Sequence, residues 1–275
     1  MKLAIVVSTH AAQFSAVAFK GDFARALEGV ARLGYDGAEL AVRDPALLDV
    51  AAIKQLLDGY GLAVPAIGTG QAWGEEGLSL TDAEAAVRRR ARARLQTHAD
   101  LAAIFGARLI IGLIRGKLQG DMAEQQRAWA VAGLRQVAAY AAQRGVELVL
   151  EPINRYETNF LNTVAETLAF LDEVAAPNVG LLFDTFHANI EEPSLACSLR
   201  AAGQHLKHVH TADSNRWAPG SGHLDFAAVV ATLRQSGYDG WLSAEILPLP
   251  GSAEQAAAQA IAHLRPLVRP TPPTR

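Results

Sequence analysis

Cysteine is nearly absent: Cys197 is the single thiol in 275 residues. One thiol excludes an intrachain disulfide and fits a reducing compartment. It sits in an Ala/Leu-rich stretch, which places it as a buried, inert side chain. Long apolar runs are missing as well. No segment approaches the roughly 20 uncharged apolar residues of a membrane span. The opening MKLAIVVSTH holds an apolar run too short for a signal h-region. Nor is there an excess of positive charge, since 25 Lys and Arg against 28 Asp and Glu leave a formal charge of -3. Phosphate binding usually needs a basic face, so nucleic acid is not an expected partner. No linker or charge run divides the chain. The expectation is a soluble cytoplasmic protein with one domain over residues 1–275 and no membrane or nucleic-acid partner. Its tail, 265–275, ends in RPTPPTR and is expected to fray or pack loosely.

What the chain has is alternation. Half of its residues are apolar, and they gather into short β-rich runs at 3–7, 37–40, 63–67, 108–113, 147–151, 179–184, 206–210 and 241–245. Most runs are continuous rather than alternating, as strands buried on both faces should be. Ala/Leu/Arg-rich segments of helical period lie between them, at 82–105, 122–144, 163–174 and 224–236 among others. Thr81 or Asp82 is placed to cap the first of these, and Thr163 with Glu166 forms a capping box for the third. Glycines 34, 61, 106, 145 and 237 fall where helices should stop. The tetrapeptide Gly-Tyr-Asp-Gly occurs at 34–37 and again at 237–240, each time leading into a strand. Eight strand–helix units are the natural count, predicting an α/β fold, a (β/α)8 TIM barrel.

Four residues end the last four of these strands: Glu151, Asp184, His210 and Glu245, at intervals of 33, 26 and 35. In a parallel barrel they share one end, where sites are built. An acid closing an apolar strand is costly unless paired, hydrated or bound to a cation. Ion pairs with Arg155, Arg216 or Lys207 would account for one such acid. Three acids and an imidazole at one depth are better explained by a divalent ion. A mixed oxygen and nitrogen set suits Mn²⁺, Mg²⁺ or Co²⁺, with Zn²⁺ also accommodated. Such an ion would make the proton beside a ketone removable, and a base on each side of that carbon would invert it.

The segments 150–157 (LEPINRYE), 183–192 (FDTFHANIEE) and 208–220 (HVHTADSNRWAPG) resemble the ketose 3-epimerases. These include D-tagatose, D-psicose and L-ribulose 3-epimerases, within the xylose isomerase-like TIM-barrel superfamily of sugar isomerases and epimerases. The match is dense from about 147 to 222 and resumes at Glu245; over 1–120 it rests on strand order. The resemblance implies one metal ion, Mn²⁺ favoured, held by Glu151, Asp184, His210 and Glu245. Glu151 and Glu245 would also be the proton-transfer pair, working through a cis-enediolate. His187 and Arg216 would hold substrate oxygens, and Glu157 a terminal hydroxyl or a neighbour. It further implies a small sugar as partner and a homodimer or homotetramer.

Weaker candidates complete the set. His208 shares a strand face with His210 and would orient a ligand or pack in the core. Arg155 is expected in a structural ion pair. Trp73, in the β3 loop, would wall the sugar or simply pack. Arg115 would meet a phosphate or carboxylate, or lie on the surface. Aldose–ketose isomerisation, hydroxypyruvate-type isomerisation and keto-inositol dehydration use the same enediolate and stay open. A nuclease of the endonuclease IV type is a remote alternative, because the loops after strands 3 and 4 carry no histidine. A non-catalytic sugar-binding barrel would leave the ligand set unexplained.

Overall fold

Continuous apolar strands need cover on both faces, and a closed parallel sheet ringed by helices supplies it. The computed structural model describes residues 1–13 and 15–269. Its strands are β1 (Lys2–Ser8), β2 (Gly37–Ala41), β3 (Ala66–Gly68), β4 (Arg108–Ile111), β5 (Leu148–Leu150), β6 (Val179–Asp184), β7 (Leu206–Thr211) and β8 (Trp241–Ala244). All pair in parallel and in sequence order, and β8 closes onto β1. The fold is the expected (β/α)8 barrel. β3 is shorter than its apolar run: Ala63 makes only an isolated bridge to Gly37, and Pro65 has no N–H for a ladder. No described helix is long and apolar enough to cross a membrane.

Local signals set most boundaries. Thr163 and Glu166 form the reciprocal capping box that starts the helix Val164–Val174. All five predicted stop glycines have positive φ, a conformation glycine adopts at little cost. The start of the helix Ala85–Phe105 differs from expectation. Neither Thr81 nor Asp82 caps it, and Glu84 stands at the cap without a side-chain bond. Thr81 is occupied elsewhere, bonded to Ser79 and packed against Gly116, so the helix begins later.

The repeated tetrapeptide has a shared task at the foot of the barrel. β1 lies between β2 and β8. Asp36, ahead of β2, accepts the Leu3 N–H at 2.8 Å. Asp239, ahead of β8, accepts the terminal ammonium of Met1 at 2.5 Å. The two copies thus grip the start of β1 from both sides. Arg265 joins this anchor, 2.7 Å from Asp36, within the helix Ala253–Val268. The expected looseness from residue 265 is therefore corrected as far as 269, while 270–275 lie outside the described residues. Cys197 is corrected too. It is exposed, because the helix Leu195–Ala202 turns Ser198, Leu199 and Ala202 inward instead.

The barrel interior is divided. Ala66, Ile110, Val149 and Leu182, from β3 to β6, form an apolar plug. Across from it, β2 and β7 contribute buried Glu39, His208 and His210. The closing of the sheet depends on tight strand spacing at Gly37, where an added Cβ would lie 2.5 Å from the Ala63 carbonyl oxygen and 2.9 Å from the Trp241 ring. Gly37→Ala is therefore expected to cost about 1–3 kcal/mol by overpacking. Urea denaturation would show this as a lowered midpoint, and an unchanged midpoint would refute it.

Candidate active site

Each of the four strand-end residues is delivered by local structure. Pro152 follows Glu151 and ends the β5 ladder. Asp184 closes β6 and caps the helix Thr185–Glu191, its Oδ1 accepting the N–H groups of Phe186 (2.6 Å) and His187 (3.1 Å). Its other oxygen is left facing inward. His210 projects from β7, and Glu245 directly follows β8. His210 Nδ1 lies 3.6 Å from Glu151 Oε1, 3.7 Å from Asp184 Oδ2 and 3.9 Å from Glu245 Oε2. Glu151 Oε1, Asp184 Oδ2 and His210 Nδ1 are buried without a hydrogen-bond partner. Gly112 leaves the room this needs, since a Cβ there would lie 3.0 Å from Glu151 Oε2.

Ion pairing does not account for the cluster. Arg155 pairs with Glu191 at 2.8 Å, the structural role expected of it, and Lys207 lies 4.0 Å from Glu147. Of the three cations considered, Arg216 alone reaches it, 3.2 Å from Glu245. Buried oxygens without hydrogen-bond partners, gathered around an imidazole nitrogen that also has none, are the donor set a divalent ion takes. The residues present therefore fit a divalent-metal site.

His210 is prepared for that role by a residue the sequence analysis missed. Its Nε2 donates to Glu39 Oε1 at 2.9 Å, while His208 Nε2 donates to Glu39 Oε2 at 2.8 Å. Donation through Nε2 turns Nδ1 toward the three acids, the arrangement a carboxylate gives a metal-binding histidine. Burial would lower the ring, but Glu39 and Glu245 outweigh it and raise it well above the usual range, so Nδ1 carries a proton that a bound ion would displace. Burial alone would raise Glu39, but the His210 charge and both hydrogen bonds outweigh it and hold Glu39 well below the usual range. His208 is fully buried, does not line the pocket, and is joined to His210 through their shared partner Glu39.

A second chain of bonds prepares His187. The Asn154 amide is oriented by two neighbours: its Oδ1 accepts the Tyr156 N–H, and its Nδ2 donates to Glu157 Oε1 at 3.1 Å. That Nδ2 also lies 2.7 Å from His187 Nδ1. Nδ1 must then accept, so the proton sits on Nε2, which lies 3.8 Å from Glu151 Oε1. Burial and then the Arg216 charge keep the ring neutral. His187 falls within the acid cluster, its ligating atom within 4.8 Å of those of Glu151, Asp184 and Glu245. Its N–H nevertheless makes Nε2 a hydrogen-bond donor facing that cluster, without a bare lone pair to offer an ion.

Arg216 donates to Glu157 at 2.7 Å as well as to Glu245. It has φ +61, an uncommon conformation for a side-chain-bearing residue. The loop around it is held by buried Asp213, whose carboxylate accepts the N–H groups of Ser214, Gly220 and Leu224.

The pocket beside the cluster is lined by Glu151, Glu157, His187, His210, Arg216 and Glu245 on one side and by residues of β1 to β4 and their loops on the other. Two weaker candidates lie away from it. Arg115 is neither on the surface nor free to meet an anion. It is buried and donates to the carbonyls of Gly112, Phe160 and Leu161, tying the β4 and β5 loops together. Trp73 lies on the helix Gly70–Glu76 and packs on the core beside Lys117, while Thr69 at the helix start, Gly70 and Gln71 reach the pocket instead. Of the missed residues, only Glu39 left a trace in the sequence, as an acid inside an apolar strand.

A family model described as xylose isomerase-like TIM barrel matches residues 27–267. An L-ribulose 3-epimerase of Methylomonas sp. is 39% identical over 239 residues, 84% of this chain and 82% of that one. A D-psicose 3-epimerase of Agrobacterium fabrum is 32% identical over 78% of this chain and 75% of its own. A crystal structure of D-allulose 3-epimerase from Methylomonas sp. in complex with D-allulose superposes with a TM-score of 0.82 at 34% identity, covering 97% and 96% of the two chains. The chain belongs to the xylose isomerase-like TIM-barrel family. Within that family it stands with the ketose 3-epimerases, which are carbohydrate isomerases.

Electrostatics give the cluster a pH signature. Burial, reinforced by Glu151, lifts Asp184 to about 6 against the pull of His210. Burial, with Glu151 and Asp184 adding like charge, lifts Glu245 to about 8. The metal-free fold thus holds protons that the unfolded chain releases, so these groups stabilise at low pH. That contribution is lost as pH rises through about 6 and then about 8. A bound divalent ion would replace those protons, so the difference in Tm between Mn²⁺-loaded and chelator-treated protein should widen from pH 5.5 to 8.5. Thermal scans of both forms test this, and a pH-independent difference would contradict it.

Proposed function

We propose that this chain is a metal-dependent epimerase that inverts C3 of a ketose. The observation that carries the proposal is the convergence of Glu151, Asp184, His210 and Glu245 on one point, three of them offering buried atoms that lack a hydrogen-bond partner. These four are assigned as ligands of a single divalent ion, Mn²⁺ favoured, with Co²⁺, Mg²⁺ or Zn²⁺ compatible with the same donors. Bound there, the ion would polarise the ketone and stabilise the charge that builds as the neighbouring proton leaves.

The chain's own residues do the rest. Glu151 and Glu245 arise from β5 and β8, on either side of His210, and are assigned as the base and acid on opposite faces of the reacting carbon. Arg216 fixes the orientation of the Glu245 carboxylate. His187, through its Nε2–H, donates to a substrate oxygen, and Glu157, bonded to Arg216 and Asn154, accepts from a terminal hydroxyl. Relatives named for L-ribulose and D-psicose, and a solved neighbour holding D-allulose, support a ketose as substrate. We take the working form to be a cytoplasmic homodimer or homotetramer of single-domain subunits. Tyr156, 81% exposed and next in the chain to the pocket residue Glu157, is suited to a subunit contact.

Aldose–ketose isomerisation, hydroxypyruvate-type isomerisation and keto-inositol dehydration would draw on the same proton-transfer pair. Incubating Mn²⁺-loaded protein with ketoses in D₂O separates them. Deuterium at C3 with inversion is expected, and label at another carbon would replace the assignment. Glu245→Gln should fold normally and lose essentially all turnover, so near-wild-type kcat in that variant would remove Glu245 from the pair. Glu39→Gln should weaken metal binding roughly 10- to 100-fold by freeing the His210 ring. An unchanged Kd in a metal titration would show that Glu39 does not orient the ligand.

A further inference from the structure

The four assigned ligands all come from β5 to β8, so the opposite arc of the barrel faces the part of the substrate away from the reacting carbon. That arc presents Val6, Val17, Ala41, Ile110 and Leu113 to the pocket, and among them the side chain of Gln71. Gln71 is 3% exposed. Its Nε2 donates to Ser8 Oγ at 3.0 Å, and its Oε1 is buried without a partner. The other polar side chains of the arc are committed. Thr69 Oγ1 donates to the Ile110 carbonyl at 2.7 Å, and Glu39 holds two histidines. A buried amide end with no partner costs free energy that a ligand group recovers on binding.

We infer that Gln71 determines specificity at the far end of the sugar, its unpaired amide end binding one hydroxyl beyond the reacting carbon. This deepens the epimerase reading above and rests on it. A hydroxyl both donates and accepts, so it satisfies the amide whichever of its ends faces the pocket. One polar group on an apolar wall reads one position. A sugar lacking that hydroxyl leaves the amide unpaired, and hydroxyls elsewhere along the wall gain nothing.

The test compares kcat/KM of the Mn²⁺-loaded enzyme for a ketohexose and for analogues that each lack one hydroxyl beyond the reacting carbon. Wild-type enzyme should penalise one analogue roughly 10- to 100-fold, the range set by leaving a buried polar group unpaired. Gln71→Met, similar in length but unable to form the bond, should shrink that ratio to about threefold or less. A ratio unmoved in Gln71→Met, or a variant that loses activity equally on every sugar, overturns the assignment and leaves Gln71 a packing residue. Wild-type enzyme that discriminates against no analogue also overturns it. Wild-type enzyme that turns over no ketose defeats the epimerase reading, and this inference with it.

Discussion

Three carboxylates held around one imidazole, out of water, repel one another and lose hydration together. The architecture at the barrel mouth is organised around that constraint. Barrel closure fixes where the strands end, and each end group is then restrained through an atom or neighbour outside the convergence. Asp184 spends one oxygen on capping a helix, His210 spends one nitrogen on Glu39, and Glu245 is held by Arg216. Glu151 is accommodated by a missing side chain at Gly112. The repulsion is thereby held in a form that a cation would relieve.

The barrel divides its labour by arc. Strands β5 to β8 carry the charged machinery, and β1 to β4 offer a mainly apolar wall. Glu39 crosses that division. It lies on β2 yet sets the tautomer of a ring on β7, so the apolar half takes part in the chemistry without touching it. The Asn154–His187 bond does comparable work within the charged half, fixing a proton on the nitrogen that faces the substrate side.

What was legible in the sequence was local or repeated. An apolar run closed by an acid announces a barrel-mouth residue, and three such runs plus a histidine pointed to the cluster that converges there. The box at Thr163 and the stop glycines act within a few residues and could be read where they stand. Glu39 was read as part of a strand because its partners lie 169 and 171 residues away. Arg115 resembles a loop arginine until Phe160 and Leu161, some 45 residues on, supply the carbonyls that bury it. Trp73 and Cys197 drew attention by residue type, whereas helix phase decides which side chains turn inward, and it chose Gln71 and Ser198.

The Glu39 bridge bears on how such barrels are assembled. A (β/α)8 barrel invites division into two four-stranded modules, and here the later module carries every assigned ligand. That module alone would nonetheless present His210 with neither tautomer nor rotamer fixed, because the carboxylate that fixes them belongs to the earlier one. The ion site is a property of the closed ring, so shuffling or fusing half-barrels would transfer the ligands while losing the preorganisation that makes them bind.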